Sequence, residues 1–226
     1  MTFLSREDAG RQLGGFLKNG HLDAQVVLGL PRGGVVVAAE VADMLGLPLD
    51  VVVVRKIGHP RHREFAVGAM AEGDVVILDE NAIAKTGVVR EELVDVIKEE
   101  RERLTAYQRR FEISGPLNVT DKSVLVVDDG LATGATTEAA VRSLRQRGAR
   151  QVILAVPVAS DSGYNRLNRV CDAVFALAVD PEFDAVGRYY DEFRQTSDDE
   201  VIALLADNHR RIPGLLQHGY KNHNSQ

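Results

Sequence analysis

Asp128 and Asp129 stand side by side at the end of the apolar run Val124–Val127, and a turn rich in small and hydroxyl residues follows them. Gly130 comes next, and Ala132, Thr133, Gly134, Ala135, Thr136 and Thr137 open a helix-like segment. Backbone N–H groups at a helix N-terminus, joined by threonine hydroxyls and by the close approach that glycine allows, make a cradle for an anion. A phosphate alone has no use for two carboxylates beside that cradle. Ionised carboxylates accept hydrogen bonds from vicinal hydroxyls, so a sugar phosphate satisfies both halves. A P-loop needs lysine next to its Ser/Thr, and a Rossmann fingerprint needs GxGxxG after a strand; neither occurs here. A blander reading makes Asp128 a helix cap and the glycines mere turns. It accounts for one acid, and leaves the second acid and three threonines without a purpose.

Two further clusters precede this one. Pro31, Arg32, Gly33 and Gly34 follow the apolar run Gln25–Leu30 and lead into a helix, which offers amides and a guanidinium to an anion. Arg55, Lys56, His59, Arg61, His62 and Arg63 crowd into Arg55–Glu64 after the run Leu49–Val54. A charge run is ordinarily a solvated face, but at the carboxyl end of a strand it can offset a polyphosphate. Glu64 and Glu72 have no assigned role. The six histidines show no metal-ligand spacing beyond His59 and His62. Cys171 is the single cysteine, so no intramolecular disulfide can form, and without a motif around it a structural thiol is expected.

These clusters must be positioned by the elements around them. Strand-length apolar runs occur at Gln25–Leu30, Leu49–Val54, Val75–Leu78, Val124–Val127, Val152–Val156 and Ala173–Val179. They are rich in valine and lack polar alternation, the pattern of strands buried on both faces. Helical segments at Gly34–Leu45, Thr136–Arg147 and Tyr164–Val170 lie between them, which implies an α/β fold: three layers, a mostly parallel sheet flanked by helices. Ligands then collect beyond the carboxyl ends of the strands. A polar helix at Val88–Glu112 carries Leu93, Ile97, Leu104, Tyr107 and Phe111 on one face and is expected to cover the sheet edge or a dimer contact. The expected organisation is a core over residues 1–180 with a helical insertion at about 80–115. A small C-terminal hood and closing helix take 181–217, the helix at Asp198–Ala206, and 218–226 form a disordered tail.

With 226 residues, 45% apolar and 5% aromatic, the chain can bury a full core of Val, Leu, Ile and Ala. A net charge of −6 and a pI near 5.6 argue against a general nucleic-acid or membrane-surface binder. No apolar run is long enough to span a bilayer, and the charged start MTFLSREDAGRQL reads as a helix, so a cytoplasmic location is expected.

The segment VLVVDDGLATGAT, Val124–Thr136, resembles the PRPP (phosphoribosyl pyrophosphate) signature of type I phosphoribosyltransferases, and departs from it nowhere. That resemblance implies the type I phosphoribosyltransferase fold with a C-terminal hood. It assigns the ribose hydroxyls to Asp128 and Asp129 and the 5-phosphate to Ala132, Thr133, Gly134, Ala135, Thr136 and Thr137. It assigns pyrophosphate to Pro31, Arg32, Gly33, Gly34, Arg55 and Lys56, with Pro31–Arg32 as the candidate for the family's non-proline cis peptide. Asp128, Asp129, Lys56 and Arg32 would carry catalysis. Mg²⁺ is the implied cofactor, met by Asp128 and Asp129 indirectly or through PRPP. The family's mobile loop would correspond to Arg55–Glu64, with Phe65–Met70 and Val75–Leu78 as a return hairpin behind it. Arg-Lys-x-Gly at Arg55–Gly58 resembles the purine-using members, so a purine is the preferred accepting base. Tyr189, Tyr190 and Phe193 are expected to meet that base, with Val158–Gly163 as a second wall. PEFDAVGRYYDEF also resembles a poorly characterised bacterial group of phosphoribosyltransferases. The expected partners are PRPP, a nitrogenous base and a second copy of the chain as a homodimer, without nucleic acid or membrane. A PRPP-responsive regulator without turnover is the competing class, although no helix-turn-helix or basic domain is evident. A PRPP synthase would need a second copy of the domain and an ATP site. A phosphoribosyl-ester hydrolase would need a positioned nucleophile or metal cluster.

Overall fold

The structure, a computed structural model, describes residues 1–20, 22–111 and 118–212. The expected tail His218–Gln226 lies outside the described residues, as does Glu112. In chain order the elements are α1 (Arg6–Asn19), β1 (Val26–Gly29), α2 (Gly33–Leu45), β2 (Leu49–Val51), β3 (Val54–His59), β4 (His62–Ala71), β5 (Val75–Leu78), α3 (Glu80–Thr86), α4 (Leu93–Phe111), β6 (Ser123–Val127), α5 (Ala135–Gln146), β7 (Gln151–Ser160), α6 (Asp161–Leu167), β8 (Ala173–Asp180) and α7 (Asp198–Arg211).

Local sequence explains many of the boundaries. Ser5 caps α1 by accepting from the Asp8 amide, with Glu7 and Asp8 in the first turn and Lys18 in the last. Gly46 ends α2 in the left-handed conformation. Ser197 and Glu200 close a capping box at the start of α7.

Five strands form a parallel sheet in the order β2-β1-β6-β7-β8. Its central strand is buried throughout and divides its side chains between two cores. Leu125 and Val127 join Leu13, Val37 and Leu205 from α1, α2 and α7. Val124 and Val126 join Val141, Leu144 and Leu167 from α5 and α6. Each such side chain contributes about 1.5–3 kcal/mol by leaving water. Burial on both faces is why the strand shows no polar alternation, and the three-layer expectation holds.

Three expectations need correction. Val75–Leu78 is not in the parallel sheet; β5 pairs antiparallel with β4 in a separate sheet ordered β3-β4-β5. The run Leu49–Val54 is two strands, because β2 ends at Val51 and β3 begins at Val54 in the other sheet. Its uniform hydrophobicity concealed the break, since Val52 and Val53 are both buried. Arg55–Glu64 is not a loop but most of a hairpin, β3 and β4 joined at Pro60-Arg61 with irregular register near Gly58. Here pairing decides: the apolar Phe65–Met70 stretch returns along Arg55–Gly58 and draws the polar segment into a ladder. That return, with β5 behind it, follows the sequence expectation.

Smaller shifts occur elsewhere. The helical insertion is α3, a 3-10 turn at Arg90–Glu92 and α4, which starts at Leu93 instead of Val88. The segment expected at Tyr164–Val170 is helical over Asp161–Leu167, and the closing helix runs on to Arg211. No helix among the described residues is long and apolar enough to cross a membrane.

Candidate functional site

Beyond the carboxyl ends of β1 and β6, two turns meet. After β6 the chain presents Asp128 and Asp129, and the Asp129 amide donates to Asp128 Oδ1 at 2.8 Å. After β1, Pro31–Gly34 lies against this pair, and the Pro31–Arg32 peptide is cis. The contact requires glycine. A Cβ on Gly33 would overlap Asp129 Oδ2, and one on Gly34 would sit 2.8 Å from Asp128 Oδ1 and 2.9 Å from its Cα.

The second turn continues from Gly130 and is braced on the neighbouring strand. The Leu131 amide donates to the Val158 carbonyl at 2.9 Å, and the Ser160 amide donates to the Leu131 carbonyl at 2.8 Å. Ser160 Oγ donates to the Ala132 carbonyl at 2.6 Å and accepts from the Gly163 amide at 2.9 Å. Val158–Gly163, expected as a wall for the base, therefore supports this turn. Ala132 and Thr133 remain exposed. Gly134 then caps α5 at φ 74°, in the left-handed region. Neither Gly134 on α5 nor Arg32 on α2 makes a side-chain cap hydrogen bond, so no capping side chain occupies the first amides of these two helices. In the first turn of α5, Glu138 is engaged by Arg142 and Arg166. Burial pushes its carboxyl up, but the hydrogen bonds from Arg166 and Arg142 prevail and hold it below its ordinary range.

The electrostatics of the acids are asymmetric. Burial holds the Asp128 carboxyl well above the usual carboxylate range, and the adjacent charge of Asp129 pushes the same way. Asp129 is bound by a residue that sequence reading missed: Arg6 Nε donates to its Oδ2 at 2.7 Å. Arg6 sits in a helix of unremarkable charge. Its only sequence signal is that it is an arginine at a position the helix buries. Tyr190 donates its hydroxyl to the Asp129 carbonyl at 2.5 Å.

Other expected residues lie further out. Arg32 Nη1 stands 3.7 Å from Asp198, which also accepts from Tyr107 Oη at 3.0 Å and pairs with Arg110 at 2.8 Å. Arg55 and Lys56 lie on β3, and none of their described contacts reaches the acid pair. Arg55 pairs with Glu100 of α4 at 3.0 Å. Lys56 is exposed beside a cleft of about 350 Å³ that Arg55, Gly58, Arg63, Glu100 and Arg103 also line. Among the aromatics, Tyr190 is only 6% exposed, packed on Phe3 and Phe193, so its ring is taken up by protein. Tyr189 stacks on Phe183 and donates to Asp180 at 2.6 Å. Phe193 is 43% exposed, with the Arg6 guanidinium 3.9 Å from its ring centre. No group of three or more His, Cys, Asp or Glu among the described residues is arranged to hold a metal ion. Cys171 is partly buried, and that burial pushes its thiol up to about 12, as suits a structural cysteine.

The adjacent strands β1 and β6 of a parallel sheet thus lead into an acid pair and two helix starts without side-chain caps, beyond the carboxyl ends of the strands. The chain belongs to the phosphoribosyl transferase domain family, whose model matches residues 11–191. A Mycobacterium tuberculosis protein whose name places it provisionally among the phosphoribosyl transferases is 45% identical over 212 residues, 92% of this chain and 47% of its own length. This chain thus spans about half the length of that relative. The crystal structure of the protein TT1426 from Thermus thermophilus is 42% identical, with a TM-score of 0.76, covering 92% of this chain and 99% of that one. A uracil phosphoribosyltransferase of Sinorhizobium medicae is 29% identical over 124 residues, 54% of each chain.

Proposed function

We propose that this protein transfers the ribose 5-phosphate of PRPP to a nitrogenous base, a purine by preference, and releases pyrophosphate. The observation that carries this reading is the convergence of the Pro31–Gly34 turn, the Asp128–Asp129 pair and the Gly134 helix start. Asp128 Oδ1 is taken by the Asp129 amide and Asp129 Oδ2 by Arg6. No N–H or hydroxyl of the described residues donates to Asp128 Oδ2 or Asp129 Oδ1. One acceptor on each acid suits the two hydroxyls of a ribose.

In the reaction, a ring nitrogen of the base forms a bond to the anomeric carbon as the carbon–oxygen bond to pyrophosphate breaks. The bonding pair leaves with pyrophosphate, and the base gives up a proton. The transition state resembles a ribosyl cation, so placement and charge stabilisation dominate. Asp128 and Asp129 orient the ribose and lend negative potential to the cation. The α5 turn, Ala132–Thr137, holds the 5-phosphate through amides and hydroxyls, and Arg32 with the Gly33 and Gly34 amides receives the pyrophosphate. Arg55 and Lys56 join the pyrophosphate when the β3–β4 hairpin closes over the sugar and excludes water. Tyr189 and Phe193 are the aromatics with surface left for a base.

Asp128 and Asp129, with no third His, Cys, Asp or Glu grouped with them among the described residues, suit Mg²⁺, which takes one or two carboxylates and completes its shell with substrate oxygens and water. Bound with PRPP, Mg²⁺ would offset charge on the departing pyrophosphate.

The test is pyrophosphate release from Mg²⁺–PRPP across a panel of purines and pyrimidines, with Asp128→Asn/Asp129→Asn as the control. Release dependent on one base, lost by at least ~100-fold in the folded double variant, is expected. Wild-type PRPP affinity in that variant would sink the site. Saturable PRPP binding with no release from any base would favour a PRPP-responsive regulator.

A further inference from the structure

Arg6 and Phe193–Arg194 lie on opposite sides of the family-matched residues 11–191, yet they meet at the Arg6 guanidinium, which binds Asp129. We infer that Arg6 is a positioning residue that fixes which oxygen of Asp129 is presented to the ribose. The inference rests on the ribose-phosphate reading of the site and goes beyond the residues which that reading uses.

The guanidinium is held on several sides. Its Nε donates to Asp129 Oδ2 at 2.7 Å, and its Nη1 donates to the Arg194 carbonyl at 2.7 Å. Its Cζ lies 3.9 Å from the Phe193 ring centre and 6.0 Å from that of Tyr190. The pyrophosphate turn closes another side, since a Cβ on Gly33 would come within 2.6 Å of Nε. The Arg6 and Asp129 side chains are 10% and 15% exposed, so their charge-assisted hydrogen bond is little screened. A planar fork can serve a carboxylate, a carbonyl and an aromatic face at once, which a lysine ammonium cannot.

The consequence is a fixed orientation. Tyr190 holds the Asp129 main chain through its carbonyl, and Arg6 holds the side chain through Oδ2. With both restrained, Oδ1 is the oxygen without a donor among the described residues, and the carboxylate is spared a search among rotamers when the sugar arrives. Arg6 also places a positive charge against the second of two adjacent acids. The N-terminal helix and the segment after Tyr190 thereby become parts of the site wall.

The experiment compares wild type, Arg6→Ala, Arg6→Lys and Leu13→Ala by calorimetric titration with Mg²⁺–PRPP, by kcat and KM, and by thermal melting. Leu13 is fully buried on the same helix, in the apolar core between α1, α2 and the sheet, so Leu13→Ala reports what loosening α1 does alone. Arg6→Ala is expected to weaken PRPP binding by about 10- to 100-fold, the range for losing a charge-assisted hydrogen bond. Millimolar guanidinium ion should restore a substantial part of that loss by entering the vacated place over Phe193. Arg6→Lys should recover only part of the affinity, and it carries the test if Arg6→Ala does not fold. Leu13→Ala should melt earlier and bind within about twofold of wild type. Wild-type affinity in a folded Arg6 variant would overturn the inference alone, as would an equal loss in Leu13→Ala. Absence of PRPP binding in wild type would overturn the ribose-phosphate reading, and the inference with it.

Discussion

Two acids adjacent in sequence, one of them buried, cost stability wherever both are ionised. Asp128 illustrates the sign. Its folded-state carboxyl is raised by burial and by Asp129, so its contribution to stability is fullest below the ordinary carboxylate range. That contribution is lost as pH rises through the elevated folded value. Above the ordinary carboxylate range the unfolded chain therefore gives up this proton more readily than the native state does, a strain of the kind functional sites retain. Asp128→Asn should raise the melting temperature at pH 7 by about 2–4 °C, on the order of 1 kcal/mol in a chain of this size. It should have no such effect at pH 3, and it should abolish PRPP binding. Scanning calorimetry at both pH values checks this, and a lower melting temperature at pH 7 would contradict the account. The acid pair was legible in the sequence because its chemistry needs particular residue types in an unbroken run. Arg6 was not, because its bond to Asp129 spans 123 positions and no local pattern announces such a pairing.

Among the elements, α4 and the β3–β4 hairpin carry the largest difference between expectation and structure. In sequence, the basic residues of Arg55–Glu64 read as a free phosphate-facing loop. In the fold, Arg55 pairs with Glu100, Arg61 with Glu92 and Arg63 with Glu99, which fastens the hairpin to the helical insertion. The exposed pairs contribute little singly. Glu100 differs, being only 6% exposed and engaged by both Arg55 and Arg103. Glu100→Gln should loosen the hairpin, with a cost of about 1–3 kcal/mol for a buried charge-assisted contact. Amide hydrogen exchange over Arg55–Ala69 should then quicken relative to β6. Unchanged exchange there would mean that packing of Ile57, Val67 and Met70, and not Glu100, holds the hairpin. The basic composition of the hairpin was visible in the sequence. Its partners were not, because Glu92, Glu99 and Glu100 look like any solvated helix face until α4 is laid across the second sheet.

At the scale of the molecule, α7 closes the structure twice. At its start, Asp198 gathers Arg32, Tyr107 and Arg110, so the Pro31–Gly34 turn, α4 and α7 share one carboxyl group. Near its end, Asn208 and His209 cover the outer edge of β2. The Leu49 amide donates to Asn208 Oδ1 at 2.8 Å, Asn208 Nδ2 donates to the Leu47 carbonyl at 3.2 Å, and His209 Nε2 stands 2.9 Å from the Leu49 carbonyl. An open strand edge invites pairing with another chain, and these side chains take the place of the missing strand. Asn208→Leu leaves a buried amide and carbonyl without partners, which should cost about 2–4 kcal/mol and promote association through the exposed edge. Thermal melting and light scattering would detect both effects. A stable, monodisperse variant would show that the edge needs no such cover.

The parallel α/β core, the alternation of its strands with helices and the acid-and-threonine turn are all readable without coordinates. Runs such as Val124–Val127 are long enough in one residue class to dictate burial on both faces, and the chemistry of Asp128–Thr137 is contiguous. The cis peptide at Pro31–Arg32 was marked by the resemblance to the type I phosphoribosyltransferases, and the structure has it there. Whatever depends on distant pairing needed the folded chain. That includes the break between β2 and β3 within one apolar run, the folding of Arg55–Glu64 into a ribbon, and the withdrawal of Tyr190 into the core. It also includes the meeting of Arg6 with Asp129. Periodicity and motif report on neighbours in the chain, whereas a guanidinium finding a carboxylate from the far end depends on how α1 packs on α2 across the sheet.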